Sequence, residues 1–294
     1  MILRLTDPSP ARFRIRPMVP ADLDFAASLT AVEKWVTETR EEFEGFLEHD
    51  PAGCWVGELD GRPAAVCVGT VYGDRGYIGE MIVVPEYRPL GLGRAMFGHV
   101  IEDMKRRGCR GISLDAVPRA APYYESVGFR PVCRSLRLAK DLAPEPSDKV
   151  RPMTPSDLDE ILTLDRRAFG ADRSFFLKRR LELYPDLASV QAENGSLVGY
   201  VFGRRRGRFA WAGPWWVRPG TPDPSPLLRA FGRGSDASNL LLGVLESNGP
   251  AVLLAGALGL REHGRASVRM VLGDPAAAVG LSPDLMAIGS AAKG

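Results

Sequence analysis

The sequence predicts two α/β domains in tandem, each built on a mixed sheet. Three observations carry this. A stretch Arg16-Pro17-Met18-Val19-Pro20-Ala21-Asp22-Leu23-Asp24 returns 135 positions later as Arg151-Pro152-Met153-Thr154-Pro155-Ser156-Asp157-Leu158-Asp159. The hairpin turn Leu59-Asp60-Gly61, set between apolar runs, returns 134 positions on as Glu193-Asn194-Gly195. Near the end of each half, Val127-Gly128-Phe129 returns 131 positions on as Leu258-Gly259-Leu260. Three anchors in one order at nearly one offset mark a duplication.

Each half opens with a strand and then a helix entered through the Pro-x-Asp turn, where Asp22 can accept backbone N–H bonds at the helix start. In the first half a second helical stretch, Glu38–His49, follows. Strands come next at Cys54–Leu59, Ala64–Tyr72 and Tyr77–Val84, an antiparallel meander. Leu92–Arg107 reads as an amphipathic helix, with Leu92, Met96, Val100 and Met104 spaced close to one turn apart. Its stop is Lys105-Arg106-Arg107-Gly108: positive charge meets the negative helix end, and glycine permits a left-handed cap. Gly111–Val117 is a further strand, and a short helix holds Tyr123–Ser126. Strands first and a strand–helix–strand unit after them make a mixed sheet. Between the halves, a proline-rich charged stretch suits a linker. The expected division is 12–140, a linker at 141–148, and 149–294.

Bulk properties exclude several classes. The 294 residues are 45% hydrophobic and 25% charged, as in a globular protein with an ample core. A net charge of +2 gives no global drive toward nucleic acid or an anionic membrane. Met1–Phe13 contains no apolar run of signal-peptide length, and no stretch approaches a membrane span. The expectation is a cytoplasmic protein, monomer or homodimer, with no nucleic-acid or membrane partner. Cys54, Cys67, Cys109 and Cys133 form no Cys-x-x-Cys pair, and His49, His99 and His263 lie far apart. No metal site is expected, and the thiols are expected reduced and mostly buried.

The chemistry concentrates between Glu80 and Arg94. The apolar strand Glu80-Met81-Ile82-Val83-Val84 stops at Pro85, a glycine loop follows, and a helix begins. Such a loop aims backbone N–H groups at one point, where the positive helix end adds to the field, and so suits a pyrophosphate. Gly91 and Gly93 put no side chain in the way of an anion.

This stretch resembles the acyl-CoA signature of the GNAT N-acetyltransferases, Arg/Gln-x-x-Gly-x-Gly/Ala after a strand ending in Val-x-Pro. Arg88, Gly91, Gly93 and Val84 carry the match. Some thirty residues on, Tyr124-Glu125-Ser126-Val127-Gly128-Phe129 resembles the family's Tyr-Glu-x-x-Gly-Phe segment. The Trp35 region, the turn Asp50-Pro51-Ala52-Gly53 and the closing Ala287-Ile288-Gly289…Lys293-Gly294 look like the YitH-type branch, which carries a second, degenerate GNAT-like half. The resemblance implies a first half that binds acetyl-CoA or another acyl-CoA as co-substrate. It implies that backbone groups of Ile82, Val83 and Val84 hold the acyl group and pantetheine arm. It also implies that Arg88, Leu90, Gly91, Leu92, Gly93 and Arg94 cradle the pyrophosphate. The sequence departs from the pattern at Pro89, which has no N–H, and at Pro118-Arg119, where the family commonly has an asparagine.

The implied reaction is direct attack of a neutral amine on the thioester within a ternary complex. Tyr124 matches the family's general acid, which protonates the leaving thiolate; Tyr123 points about 100° away around the helix. The base is open: Glu80, expected on the same strand face as Ile82 and Val84 by alternation, Asp115 on the following strand, or water. The acidic stretch from Glu33 to Asp50 either favours a cationic acceptor or is a solvated face. Trp35 either walls the acceptor pocket or belongs to the core. Arg204-Arg205-Arg206 near Trp211, Trp215 and Trp216 reads as a solvated turn. A small-molecule amine is the expected acceptor; the alternatives are a protein or peptide amine, or a CoA-binding regulatory module without turnover. In the second half the offset carries the cradle to Thr221-Pro222-Asp223-Pro224-Ser225-Pro226-Leu227-Leu228, without glycine, and carries Tyr124 to Ala255.

Overall fold

The structure is a computed structural model that describes residues 13–35 and 38–294. The N-terminal reading up to residue 12, and the residues just after Trp35, lie outside the described residues. The chain forms two compact units. One comprises the described residues from Phe13 to Val71 with Ile78–Cys109; the other comprises Tyr72–Tyr77 with Arg110–Gly294.

The first unit holds β1 (Phe13–Pro17), α1 (Leu23–Val32), α2 (Arg40–His49), β2 (Cys54–Leu59), β3 (Arg62–Tyr72), β4 (Arg75–Val83) and α3 (Leu92–Arg106), with the ends of β3 and β4 reaching into the second. Its strands run β1-β2-β3-β4, and β2 is antiparallel to β1 and β3. The strands expected at Cys54–Leu59, Ala64–Tyr72 and Tyr77–Val84 are neighbours in that order, with the first two antiparallel. Leu92, Met96, Val100 and Met104 are all buried along α3, as their spacing predicts. Each such side chain contributes about 1.5–3 kcal/mol on leaving water. Gly69 of β3 is where α3 crosses: a Cβ there would stand 2.8 Å from Val100 and 3.0 Å from the Met104 sulfur.

The second unit holds β5 (Gly111–Ala116), α4 (Ala121–Ser126), β6 (Arg130–Asp141), β7 (Val150–Pro152), α5 (Leu158–Phe169), α6 (Ser174–Leu183), β8 (Ser189–Glu193), β9 (Ser196–Arg206) and β10 (Phe209–Val217). It continues with α7 (Ser225–Ala230), β11 (Asn239–Leu245), α8 (Gly249–Ala257), β12 (Arg261–Glu262), β13 (Ser267–Gly273) and β14 (Leu285–Ala287). Its strands run β5-β13-β6-β11-β10-β9-β8-β7, with β12 on β6 and β14 on β10. β10 and β11 are parallel and β9 is antiparallel to β10, so this sheet is mixed.

The units do not follow the sequence repeat, because strands are exchanged between the halves. β13, from the second half, lies between β5 and β6 of the first and is antiparallel to both. β6 in turn pairs along Ser135–Asp141 with β11. Asp115 of β5 and Arg269 of β13 face each other in register, and their side chains form an ion pair of 2.5 Å with no solvent exposure. Arg137 (3.1 Å) and the Ser135 hydroxyl (2.8 Å) complete the Asp115 carboxylate. The Arg269 guanidinium lies over the Tyr77 ring at 5.3 Å.

The duplicated Arg-Pro-x-x-Pro-x-Asp turn has the same construction twice. Arg16 grips Asp22 at 2.7 and 2.8 Å, and Asp22 accepts the Val19 N–H. Arg151 grips Asp157 at 2.8 and 2.6 Å, and Asp157 accepts the Thr154 N–H. The carboxylate thus bonds backward to the turn. Asp22 thus accepts a backbone N–H at the entry to the helix, as expected, but from the turn before it and not from α1 itself. Arg151 holds the Asp157 carboxyl well below the usual range, with the two Thr154 donors adding to the effect. A depressed carboxyl stabilises the fold above its unfolded pKa, and that contribution disappears as pH falls through the folded value. Asp157→Asn should therefore lower stability at pH 7 by on the order of 1 kcal/mol, and the deficit should shrink steadily below about pH 4. Urea unfolding across that range checks it; a deficit that does not change with pH would contradict the assignment.

A chain cut after Leu142 would lose β13. The β5 and β6 edges that it pairs would be bare, and Asp115 would keep only Arg137 and Ser135 as partners. Such a fragment should aggregate or be poorly active on expression; a soluble, fully active fragment would contradict this account.

Candidate functional site

β4 delivers the chain into the glycine loop. It contains the least regular residue of the region, Glu80, which is 2% exposed and has φ +53°. A left-handed non-glycine residue inside a strand costs on the order of 1–3 kcal/mol. It also interrupts the two-residue alternation. Glu80 therefore does not share a strand face with Ile82 and Val84 through simple alternation, contrary to expectation. Glu80 lies near enough to Cys67 to help raise its thiol pKa, after burial itself. Ile82 and Val83 are buried and Val84 is half-buried. The Val84 N–H donates to the Ala64 carbonyl at 2.9 Å, so that donor is engaged within the sheet.

After β4, Pro85–Leu90 form a 3₁₀ turn. Gly91 is left-handed (φ +75°) and is the residue from which α3 starts. Arg88 sets the shape of the turn: its Nε donates to the Val83 carbonyl at 3.1 Å, and its guanidinium is paired with Glu33. The Arg88 side chain thus ties the loop to the end of β4 and to the residue closing α1. Leu90 is half-buried, Leu92 is buried in the α3 packing and Arg94 is exposed. The Arg94 N–H turns back to the Gly91 carbonyl at 3.0 Å. By helix geometry, the N–H groups of Gly91, Leu92 and Gly93 have no acceptor within α3.

The two glycines differ. Gly91 is required by its backbone conformation, and a Cβ there would meet nothing within 4 Å. Gly93 has no such φ, and a Cβ would make ordinary contacts at 3.5 Å with Val83 and 3.6 Å with Met81. The fold needs glycine at 91 and tolerates a side chain at 93. A loop with open space above Gly91, a helix N-terminus and no side chain at 93 fits an anionic group such as a pyrophosphate.

In the second unit, Tyr124 lies half-buried on α4, its ring 6.1 Å from Phe129 and 5.7 Å from Tyr123. The Tyr-Glu-x-x-Gly-Phe segment is a helix terminator. Gly128 is left-handed (φ +97°), and the Phe129 N–H returns to the Tyr124 carbonyl at 3.0 Å. The second half repeats this, with Gly259 at φ +85° and the Leu260 N–H on the Ala255 carbonyl at 3.0 Å. The terminator persists there without the tyrosine.

Asp115 is placed as a structural group. Burial alone would raise its carboxyl pKa; Arg269 first, then Arg137, outweigh burial and hold it below the usual range. That makes it a weaker base than an ordinary carboxylate. Several acids of the Glu33–Asp50 stretch are engaged too: Glu33 with Arg88, Asp50 with Arg107 at 2.7 Å, and Glu44 with Arg40 at 3.7 Å. Glu38 and Glu42 are buried, so the stretch is not a solvated face throughout. Trp35 is half-buried. Arg204 corrects another expectation. It is buried in β9, with its guanidinium 5.3 Å from the Trp211 ring, not in a solvated turn. All four cysteines are free thiols; Cys54 and Cys67 are buried, and burial, with Asp50 adding, pushes Cys54 up to about 12. Among the described residues no helix is long and apolar enough to cross a membrane.

The second half's counterpart of the cradle is closed. Leu227 and Leu228 on α7 are buried in the core with Phe231, and Asp223 accepts the Ser225 N–H at 3.0 Å.

This strand–loop–helix and the doubled α/β plan define a tandem acyltransferase fold of the GNAT superfamily. Residues 21–129 match the acetyltransferase (GNAT) family, and residues 161–278 match an acetyltransferase (GNAT) domain. The chain is a tandem GNAT protein. It is 29% identical over 140 residues to the uncharacterized N-acetyltransferase YitH of Bacillus subtilis (strain 168), covering 46% of this chain and 49% of that protein. It is 38% identical over 63 residues to glucosamine 6-phosphate N-acetyltransferase of Trypanosoma brucei brucei, covering 21% and 43%. The chain spans about half the length of these curated relatives. In fold it is similar to a putative acetyltransferase from Pyrococcus horikoshii (TM-score 0.78, 24% identity, 96% of each chain). It is also similar to a tandem GNAT protein from the clavulanic acid biosynthesis pathway (TM-score 0.64, 15% identity, 89% and 98% covered).

Gly93→Glu should abolish CoA binding in a folded protein, because the new carboxylate enters the anion site. Calorimetry should show one CoA per wild-type chain. Unchanged affinity in the folded variant, or a second equivalent in wild type, would contradict the placement.

Proposed function

We propose that the chain transfers an acyl group, acetyl in the first instance, from CoA to the amine of a small molecule. The first half, 12–140, would carry the chemistry, and 149–294 would be a degenerate half joined to it by 141–148. The observation that carries this reading is the contrast within the loop: Gly91 answers to the backbone, whereas Gly93 answers to nothing in the fold. An approaching anion supplies the missing reason. The N–H groups of Gly91, Leu92 and Gly93 would hold the pyrophosphate, with Arg88 shaping the turn through Glu33 and Val83. Ile82–Val84 would take the pantetheine arm through whichever backbone groups the sheet leaves available.

The thioester supplies an electrophilic carbonyl. The amine nitrogen forms the new C–N bond as the C–S bond breaks. One proton must leave the nitrogen, and the thiolate must gain one. We assign the second transfer to the Tyr124 hydroxyl and the first to Glu80, directly or through water. Asp115 is the weaker choice because Arg269 and Arg137 lower its basicity. The similarity to a glucosamine 6-phosphate N-acetyltransferase supports a small-molecule acceptor. A short similarity to the Escherichia coli ribosomal protein bS18-alanine N-acetyltransferase, 33% over 73 residues, favours the second reading, a peptide amine.

Thiol release from acetyl-CoA across amines and peptides decides between these readings; binding without release on any acceptor would leave a regulatory module. Tyr124→Phe should lower turnover by roughly 10²–10⁴-fold while CoA affinity holds. Wild-type turnover where chemistry limits the rate would return Tyr124 to packing. Glu80→Gln should lower the maximal rate and alter the pH profile; an unaltered profile would point to water as proton acceptor.

A further inference from the structure

The second half carries, in β10, a counterpart of the irregularity at Glu80. The hairpin offset of 134 carries Gly79 and Glu80 onto Gly213 and Pro214, and Ile82–Val84 onto Trp216–Arg218. At that point β10 parts from β11. The two pair in parallel from Phe209↔Asn239 to Ala212↔Leu242 and no further. Beyond it β10 pairs with β14, Trp215 opposite Ala287 and Trp216 opposite Leu285. The Val217 N–H donates to the Asp284 carbonyl at 3.0 Å, and the Ile288 N–H donates to the Gly243 carbonyl of β11 at 2.9 Å. Residues 284–288 thus bridge the parted strands, accepting from one and donating to the other.

The segment continues into the interior. Arg180 donates to the Gly289 carbonyl at 3.2 Å, Tyr72 to the Lys293 carbonyl at 3.1 Å, and Arg173 to the Gly294 main-chain oxygen at 3.1 Å. Arg173 is itself held by Asp165, which also accepts the Tyr200 hydroxyl at 2.6 Å. Two glycines leave room for the passage. A Cβ on Gly213 would stand 2.1 Å from the Ile288 oxygen, and one on Gly243 would stand 2.7 Å from both Ile288 and Trp211. Buried guanidiniums are costly unless fully engaged, and here they converge on the main chain of one segment.

We propose that Leu285–Gly294 is a permanent internal ligand of the second half. It is a peptide strand filling the cleft between β10 and β11 that corresponds to the first half's acyl-arm strand. This rests on the acyl-CoA reading of that first half. The cleft's chemistry is that of an extended peptide: a donor at Val217, an acceptor at Gly243, arginines for carbonyls, and core packing for Leu285 and Met286. The stretch after β10, Thr221–Leu228, offers a pyrophosphate three prolines without N–H and the carboxylate of Asp223.

In full-length wild type, hydrogen exchange should show the Val217 and Ile288 amides protected together, as slowly exchanging as β11. An Ile288 amide that exchanges like free chain while β11 is protected would overturn the proposal. In full-length Ile288→Asp, the buried charge should release 284–294. A synthetic peptide of that sequence should then bind the variant one to one and not the wild type. A folded, released variant that ignores the peptide, or gains a second CoA equivalent, would also overturn it; should the variant not fold, the wild-type exchange decides. Absence of any CoA binding to wild type would strike the first-half reading alone and leave the exchange result standing.

Discussion

The buried pair Asp115–Arg269 fixes how the second unit is assembled. A carboxylate with no exposure is tolerable only beside a cation, and the cation comes from a strand more than 150 positions away. Arg269 can reach it only if β13 lies beside β5. Arg137 and Ser135 then complete the carboxylate from β6, on the other flank of β13. Removing either partner of such a pair leaves an uncompensated buried charge, at a cost of about 3–5 kcal/mol. The ion pair therefore acts as a register lock. Slipping β13 by one residue would send Arg269 to the opposite face and strand Asp115. The same lock explains why the compact units cut across the duplication: the first half's β5 and β6 are held apart by a strand that the second half supplies.

What the sequence revealed and what it hid follow from the range of the interaction. Local devices were legible. The Arg-Pro-x-x-Pro-x-Asp turn, the Asp60-Gly61 and Asn194-Gly195 hairpins, the α3 periodicity and the left-handed Gly108 that follows α3 each depend on residues within a few positions. Strand exchange was not legible, because Val268–Leu272 reads as a strand whatever it pairs with. Glu80 misled for a related reason. Alternation assumes an unbroken strand, and a left-handed residue inside one has no local marker when it is a glutamate. Arg204 was misread because the solvated-turn reading of a basic triplet ignores a cross-strand tryptophan. Arg204 and Trp211 are directly opposed in the β9–β10 register. The Glu33–Arg88 pair, which holds the loop, joins residues far apart in sequence and had no signal beyond opposite charge.

The halves have diverged along the line between scaffold and chemistry. Both retain the arginine-gripped carboxylate at the opening turn, the hairpin and the glycine helix terminator, all of which hold backbone in place. At the positions that correspond to the first half's glycine loop and tyrosine, the second half carries different residues. Its cradle position is taken by buried Leu227 and Leu228, its tyrosine by Ala255, and the cleft at its parted strands by β14. Leu227 and Leu228 contribute apolar burial there, and β14 adds strand pairing to β10.

The glycines show the same division at single-residue resolution. Gly91 and Gly128 are demanded by a positive φ, so any L-residue there is strained. Gly69, Gly213 and Gly243 are demanded by neighbours that a Cβ would strike within 3 Å. Gly93 meets neither demand: its backbone is helical, and a Cβ would rest in ordinary contact. A helix interior also disfavours glycine by about 0.8–1.0 kcal/mol relative to alanine. Gly93 lies in the first turn of α3, where neither backbone conformation nor packing calls for glycine. At a helix N-terminus, a glycine that meets neither demand leaves the backbone open to a group outside the chain.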